Sequence, residues 1–150
     1  MDGLTKARWL ALAVPAALLG GAYVAQYGFG LPPCEMCWWQ RYPHFAAIPL
    51  AGAAFVMQPA RVWTGLAGLA ILTSGLIGGF HAGVEYGWWQ GITGCSTIPS
   101  ALDVMDPRAA PLIRCDRAPW SLLGISLAGF NFLISCASGA AIVALAAYRR

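Results

Sequence analysis

Charge is what this 150-residue chain has least of: 9 Lys and Arg and 6 Asp and Glu, together 10% of the residues. A soluble domain carries about 25% charged residues, so this one cannot coat a water-facing surface, and its natural solvent is largely lipid. A disordered, highly charged tail is excluded on the same ground. The net charge of +3 is too small to argue for a nucleic-acid partner. The chain also lacks a dinucleotide-binding glycine motif, a CxxCH haem-attachment site and iron–sulfur spacing, which removes the common built-in electron carriers. No internal repeat and no low-complexity tract beyond Ala/Gly-rich helix is present.

What the chain does have is apolar residues, 59% of the total, with a mean hydropathy of +0.63, 18 Gly and 7 Trp. Glycine is enriched in membrane helices and tryptophan at membrane interfaces. A transmembrane helix needs about 20 predominantly apolar residues, and four runs approach that length: about 9–28, 42–57, 62–84 and 120–148. The second is short unless its first turn begins near Glu35. Pro15, Pro43 and Pro49 fall in or beside the first two runs, as membrane helices tolerate. Gly75, Gly79 and Gly83 give overlapping GxxxG spacings on the third and predict a close helix contact there. The expectation is an all-α integral membrane protein, one domain over 1–150, built as a four-helix transmembrane bundle.

The first run resembles a signal peptide, with Lys6 and Arg8 ahead of it, but it exceeds the usual h-region of about 7 to 15 residues. Retaining it puts Lys6, Arg8, Arg61, Arg149 and Arg150 on one side, opposed only by Asp2. By the positive-inside rule that side is cytoplasmic and holds both termini. The other side holds Glu35, Arg41, Glu85, Asp103, Asp106, Arg108, Arg114, Asp116 and Arg117. It comprises a short loop, about 29–41, and a longer one, about 85–119, with Pro99, Pro107, Pro111 and Pro119. A loop that long in so small a protein suggests function.

Four of the five cysteines, Cys34, Cys37, Cys95 and Cys115, fall in these outward loops. Disulfides persist on the oxidising side of a membrane. The natural pairing is Cys34 with Cys37 and Cys95 with Cys115, although four cysteines allow three connectivities. Cys34-Glu35-Met36-Cys37 is a CxxC, the short ring of redox-active dithiols. The competing reading, half a zinc site, lacks a second half with ligand spacing, so no metal is expected. Cys95 and Cys115 alone would read as a staple; beside a CxxC they read as the second station of a thiol-exchange relay. Cys136, mid-span, reads as a small core residue.

Arg41 lies four residues after Cys37, one turn along a shared helix face if the helix begins near the motif. There it would stabilise a Cys37 thiolate or hydrogen-bond a carbonyl or anionic ligand. Trp38, Trp39 and Tyr42 read as an interfacial belt or a flat surface for a ring. His44 and His81 could sit at similar depth, which leaves open a small haem-binding subunit; a structural membrane subunit with stiffening loop disulfides is the other alternative. A relay of two disulfides must pass two electrons onward, and a bilayer-soluble quinone fits.

The run Pro33-Cys34-Glu35-Met36-Cys37-Trp38-Trp39-Gln40-Arg41-Tyr42-Pro43-His44, the loop pair Cys95 and Cys115, and Ala118-Pro119-Trp120 leading into Leu123-Gly124-Ile125-Ser126 resemble the DsbB family of disulfide-bond formation proteins. The resemblance covers essentially the whole chain. It implies an enzyme of the bacterial inner membrane, a quinone-dependent thiol oxidoreductase that reoxidises a periplasmic DsbA-like thiol oxidase. By that resemblance the partner attacks Cys95, the released Cys115 attacks Cys34, and Cys37 is left as the thiolate that reacts with ubiquinone or menaquinone. Arg41 would stabilise the thiolate and the reduced quinone, and His81 matches a position near the quinone. Gln40 stands where the best-known members have Glu, so no argument from a carboxylate there carries over.

Overall fold

The computed structural model describes residues 2–96 and 113–148, and within them four long helices pack into a bundle. Helix α1 spans Gly3–Tyr23 and continues through a wider π turn, Val24–Gly28. Helix α2 is Glu35–Val56, α3 is Ala60–Glu85 and α4 is Leu127–Ala147. Asp103, Asp106, Arg108, Arg149 and Arg150 lie outside the described residues, as does the middle of the longer loop.

Short polar side chains set three of the four helix starts, each accepting from one of the first free N–H groups. Asp2 Oδ1 accepts from Thr5 N at 2.7 Å, and Ser126 Oγ accepts from Gly129 N at 3.1 Å. On α2 the cap is Cys34 itself, whose sulfur accepts from Cys37 N at 3.2 Å. The helix therefore starts at the CxxC, ahead of position 42. In contrast, α4 starts at Leu127 and not near position 120. The intervening residues form a two-stranded hairpin, β1 Ser121–Leu122 and β2 Ile125–Ser126, turned by Leu123 at φ 52° and Gly124 at φ 79°. The positive φ of Gly124 is one that side chains disfavour and glycine accepts.

Three helical segments are long and apolar enough to cross a membrane: Gly3–Gly28, Ala60–Glu85 and Leu127–Ala147. Helix α2 has comparable length, 22 residues, but its first three turns carry Glu35, Gln40, Arg41 and His44. The helix that holds the candidate chemistry is thus the least apolar of the four. Neighbouring helices run antiparallel. At one end of the bundle Trp9 of α1 meets Phe55 of α2 with ring centroids 5.2 Å apart, and Arg8 stands over the same ring. There too Arg61 of α3 donates to the α4 terminus, to Ala146 O at 3.0 Å and Tyr148 O at 2.6 Å, placing a cation where the helix carbonyls lack partners. The cysteine pairs occupy the opposite end.

Lipid offers no hydrophobic drive to helix association, so close packing must supply it. The core seam is small: Ala7, Ala11, Ala47, Ala51 and Ala67 are all fully buried, with Ile71 and Ile142 between them. The α3–α4 contact is the most extensive of the bundle. A Cβ at Gly75 would lie 2.8 Å from Cys136 N, and one at Gly139 would lie 2.8 Å from Leu72 N. The GxxxG expectation holds for Gly75 and Gly79, which face α4; Gly83 instead lies against the Trp89 ring of the following loop. Leu66, Leu69, Leu76 and Leu133 remain exposed along the outside, the surface a lipid-facing helix presents.

Because the Gly75 clash is with backbone, Gly75→Ala should destabilise the bundle by about 1–3 kcal/mol. Gly65→Ala, with open space at its Cβ, should be neutral or gain up to about 1 kcal/mol from helix propensity. Thermal unfolding of the two variants in detergent checks this; equal melting temperatures would contradict the packing described.

Candidate redox site

Four cysteines predicted from separate loops come together. Cys34, Met36, Val84 and Cys115 form one buried cluster, with Cys37, Phe80 and Cys95 packed against it. Cys95 and Cys115 are joined by a disulfide across 20 positions, reinforced by Cys115 N donating to Cys95 O at 3.0 Å. Cys115 is wholly buried and Cys95 only partly so. Beside it, Arg114 and Asp116 form an ion pair, and the guanidinium holds the Asp116 carboxyl below the usual carboxylate range.

Cys34 and Cys37 are thiols with sulfurs 2.7 Å apart. Both precede the apolar segment of α2. Cys34 is the more deeply placed, and the hydrogen bond it shares with Cys37, together with burial, pushes its thiol up. The same bond favours the anion on Cys37. The pair is therefore asymmetric: the proton stays on the buried sulfur and the nucleophile is the more accessible one.

Arg41 follows one turn after Cys37 and is 7% exposed. It donates to Gln26 Oε1 at 2.7 Å and to Ala22 O at 3.3 Å, and its guanidinium lies 5.1 Å from the Tyr23 ring centroid and 4.9 Å from that of Trp38. Gln26 sits on the π turn of α1, the kind of local widening often found at functional sites. Among the described residues no carboxylate lies within ion-pair distance of Arg41, and the partners they offer its charge are dipoles and ring faces.

Cys37 and Arg41 line a cavity of about 250 Å³ between α1, α2 and α4, whose walls include Leu18, His44 and Phe130 and are mostly apolar. His44 is buried; its Nε2 lies 3.1 Å from Asn131 Oδ1, while its Nδ1 has no hydrogen-bond partner among the described residues. His81 is not on this wall. It stands behind the cysteines, Nε2 at 3.6 Å from Cys34 Sγ and 3.2 Å from Cys115 O, with Glu85 Oε1 at 3.7 Å. The two histidines are tied to different amides, His44 to Asn131 and His81 to Gln40. Cys136 lies away from the other four, against Gly75.

A sequence model described as "Disulfide bond formation protein DsbB" matches residues 5–146. The chain belongs to the DsbB family. A "Disulfide bond formation protein B" of Verminephrobacter eiseniae is 33% identical over 149 residues, covering 92% of this chain and 82% of that one. Another of the same name, from Aromatoleum aromaticum, is 31% identical over 156 residues, covering 94% and 90%. An uncharacterised protein of Rickettsia prowazekii is 29% identical over 125 residues, covering 78% of this chain and 73% of its own. No solved structure matches. With its three membrane-capable helices, this DsbB-family chain is a multi-pass membrane protein.

Sequence reasoning found the cysteines and Arg41 but gave no role to Gln40, Ser74 or Asn131, which join into one buried hydrogen-bonded network beneath the cysteines. The signal was present in Asn131, an amide inside an otherwise apolar run, where a polar residue is costly and has a reason.

The asymmetry of the CxxC is directly measurable. Under limiting iodoacetamide the reduced protein should be alkylated faster at Cys37 than at Cys34, because the thiolate is the nucleophile and the shared hydrogen bond favours it on Cys37. Peptide mass spectrometry reads the ratio, and equal rates would contradict the assignment.

Proposed function

We propose that this protein is a thiol:quinone oxidoreductase of the bacterial inner membrane that reoxidises a periplasmic DsbA-like dithiol oxidase and so supports disulfide formation in other proteins. The observation that carries this reading is the position of the CxxC. Cys34 is packed against the second cysteine pair, while Cys37 opens, with Arg41, into an apolar cavity between the helices. In this reading α2 is a fourth span, both termini are cytoplasmic with Lys6, Arg8 and Arg61, and both cysteine loops are periplasmic.

Each exchange step makes one S–S bond and breaks one. A thiolate of the partner attacks Cys95, the more accessible sulfur of its pair, forming an intermolecular disulfide and releasing Cys115 as a thiolate. Cys115, already packed beside Cys34, attacks that sulfur in the oxidised CxxC, so that a Cys34–Cys115 bond forms and Cys37 leaves as a thiolate. The remaining partner thiol resolves the intermolecular disulfide at its own sulfur, which departs oxidised and returns Cys95 as a thiol. Two electrons from the partner now reside on the protein.

A ubiquinone or menaquinone, when bound, supplies an acceptor of two electrons and two protons. The residues fit such a group: a mostly apolar enclosure, a guanidinium with no carboxylate partner among the described residues to face a carbonyl oxygen, a sulfur one turn away, and a ring nitrogen of His44 that is unpartnered among the described residues. Arg41 orients the ring and stabilises negative charge, and Cys37 is the sulfur within its reach. His81 adjoins the cavity only through Gln40 and serves from the side of Cys34.

Purified protein in detergent, supplied with a soluble quinone and a reduced DsbA-like protein, should oxidise that protein catalytically as the quinone absorbance falls. Cys37→Ser should abolish turnover. Arg41→Ala removes hydrogen bonds from a charged group, worth about 1.5–3 kcal/mol, and should lower kcat/KM for quinone roughly 10- to 100-fold. Wild-type turnover in either variant would place the site elsewhere.

A further inference from the structure

Two backbone carbonyls, which can only accept, fix the orientation of the buried amides beneath the cysteines. Asn131 turns its NH2 toward Ser74 O at 3.1 Å and presents the same nitrogen to Gln40 Oε1 at 2.9 Å. Gln40 Nε2 in turn faces Met36 O at 3.1 Å and His81 Nδ1 at 2.9 Å. Flipping either amide would set a carbonyl oxygen against a carbonyl oxygen. Nδ1 of His81 therefore accepts, and the neutral ring carries its proton on Nε2. Among the described residues, the groups within reach of Nε2 can each accept: Cys115 O at 3.2 Å, Cys34 Sγ at 3.6 Å and Glu85 Oε1 at 3.7 Å.

The same corner has the spacing of a metal site. Ligand atoms of Cys34, Cys37 and His81 all lie within 4.8 Å of one another, and among the described residues the buried Glu85 Oε2 has no hydrogen-bond partner. A thiophilic cation would need the lone pair of Nε2, and metal-bound histidine donates its other ring N–H to an acceptor. Here the other ring nitrogen faces an amide NH2, the opposite polarity.

We propose that Gln40 is a positioning residue that holds His81 as an N–H donor toward Cys34 and so withholds the imidazole lone pair from a cation at the two thiols. The two thiols of the reduced CxxC then remain free for reoxidation and are not sequestered by a thiophilic cation. This inference concerns the dithiol form alone and does not depend on the electron acceptor proposed above.

The test uses the full-length reduced protein in detergent, labelled with 15N-histidine and without quinone or oxidase. The chain has two histidines, so the spectrum holds two rings, and a His44→Phe variant assigns them. His81 should carry its proton on Nε2. Gln40→Glu replaces the donor with a group that only accepts, and should place a proton on Nδ1. With cobalt(II) as the probe, reduced Gln40→Glu should bind roughly 10- to 100-fold more tightly than the wild type, the usual range for a residue that orients a metal ligand. The thiolate-to-cobalt absorption should vanish when Cys37→Ser is added. A wild-type His81 protonated on Nδ1, or equal cobalt affinity in the two proteins, overturns the proposal. The wild-type spectrum decides the matter even if Gln40→Glu does not fold.

Discussion

A polar group within a bilayer has no water to turn to, and this bundle is organised around satisfying the few that it buries. Gln40 on α2, Ser74 and His81 on α3, and Asn131 and Ser135 on α4 form a continuous hydrogen-bonded set. Each amide satisfies a backbone carbonyl as well as a side chain. Apolar packing among alanines and glycines is tolerant of small rotations and slides; a set of directional bonds anchored on main-chain atoms is not. The set fixes the rotation of three helices about their axes, and with it the direction in which Cys37, Arg41 and His81 point.

Above that network the cysteines occupy graded environments. Cys95 is partly open, Cys115 and Cys34 are enclosed, and Cys37 faces a cavity within the bundle. Cys34 also caps α2, so the motif that carries the chemistry starts the helix that carries Arg41. The spacing of four between Cys37 and Arg41 becomes a fixed distance only because the helix has already begun at Glu35. A loop CxxC followed by a later helix would leave the guanidinium unplaced.

The four long helices, three of them apolar enough to cross a membrane, the GxxxG contact at Gly75 and Gly79, and the Cys95–Cys115 pair were legible from composition, period and charge. They depend on local pattern or on a rule that acts one residue at a time. The start of α2 was half legible, since a cysteine is an unusual cap, and the hairpin before α4 was hidden in a run that reads as apolar throughout. The amide network was not legible, because it depends on which faces of separate helices meet: the Asn131–Gln40 bond spans 91 positions. His81 shows the same limit. Its place at a helix end was evident, but not whether it turned toward the cavity or toward Cys34.

Both cysteine pairs, Arg41 and the sulfur-bearing wall of the cavity lie at one end of the bundle, opposite Arg8 and Arg61. Moving an elementary charge across a membrane costs or yields about 2.3 kcal/mol per 100 mV. Electrons that enter and leave the protein at the same end cross little of that field. Under the function proposed above, thiol oxidation would therefore be nearly blind to the membrane potential, neither driven by an energised membrane nor slowed by it.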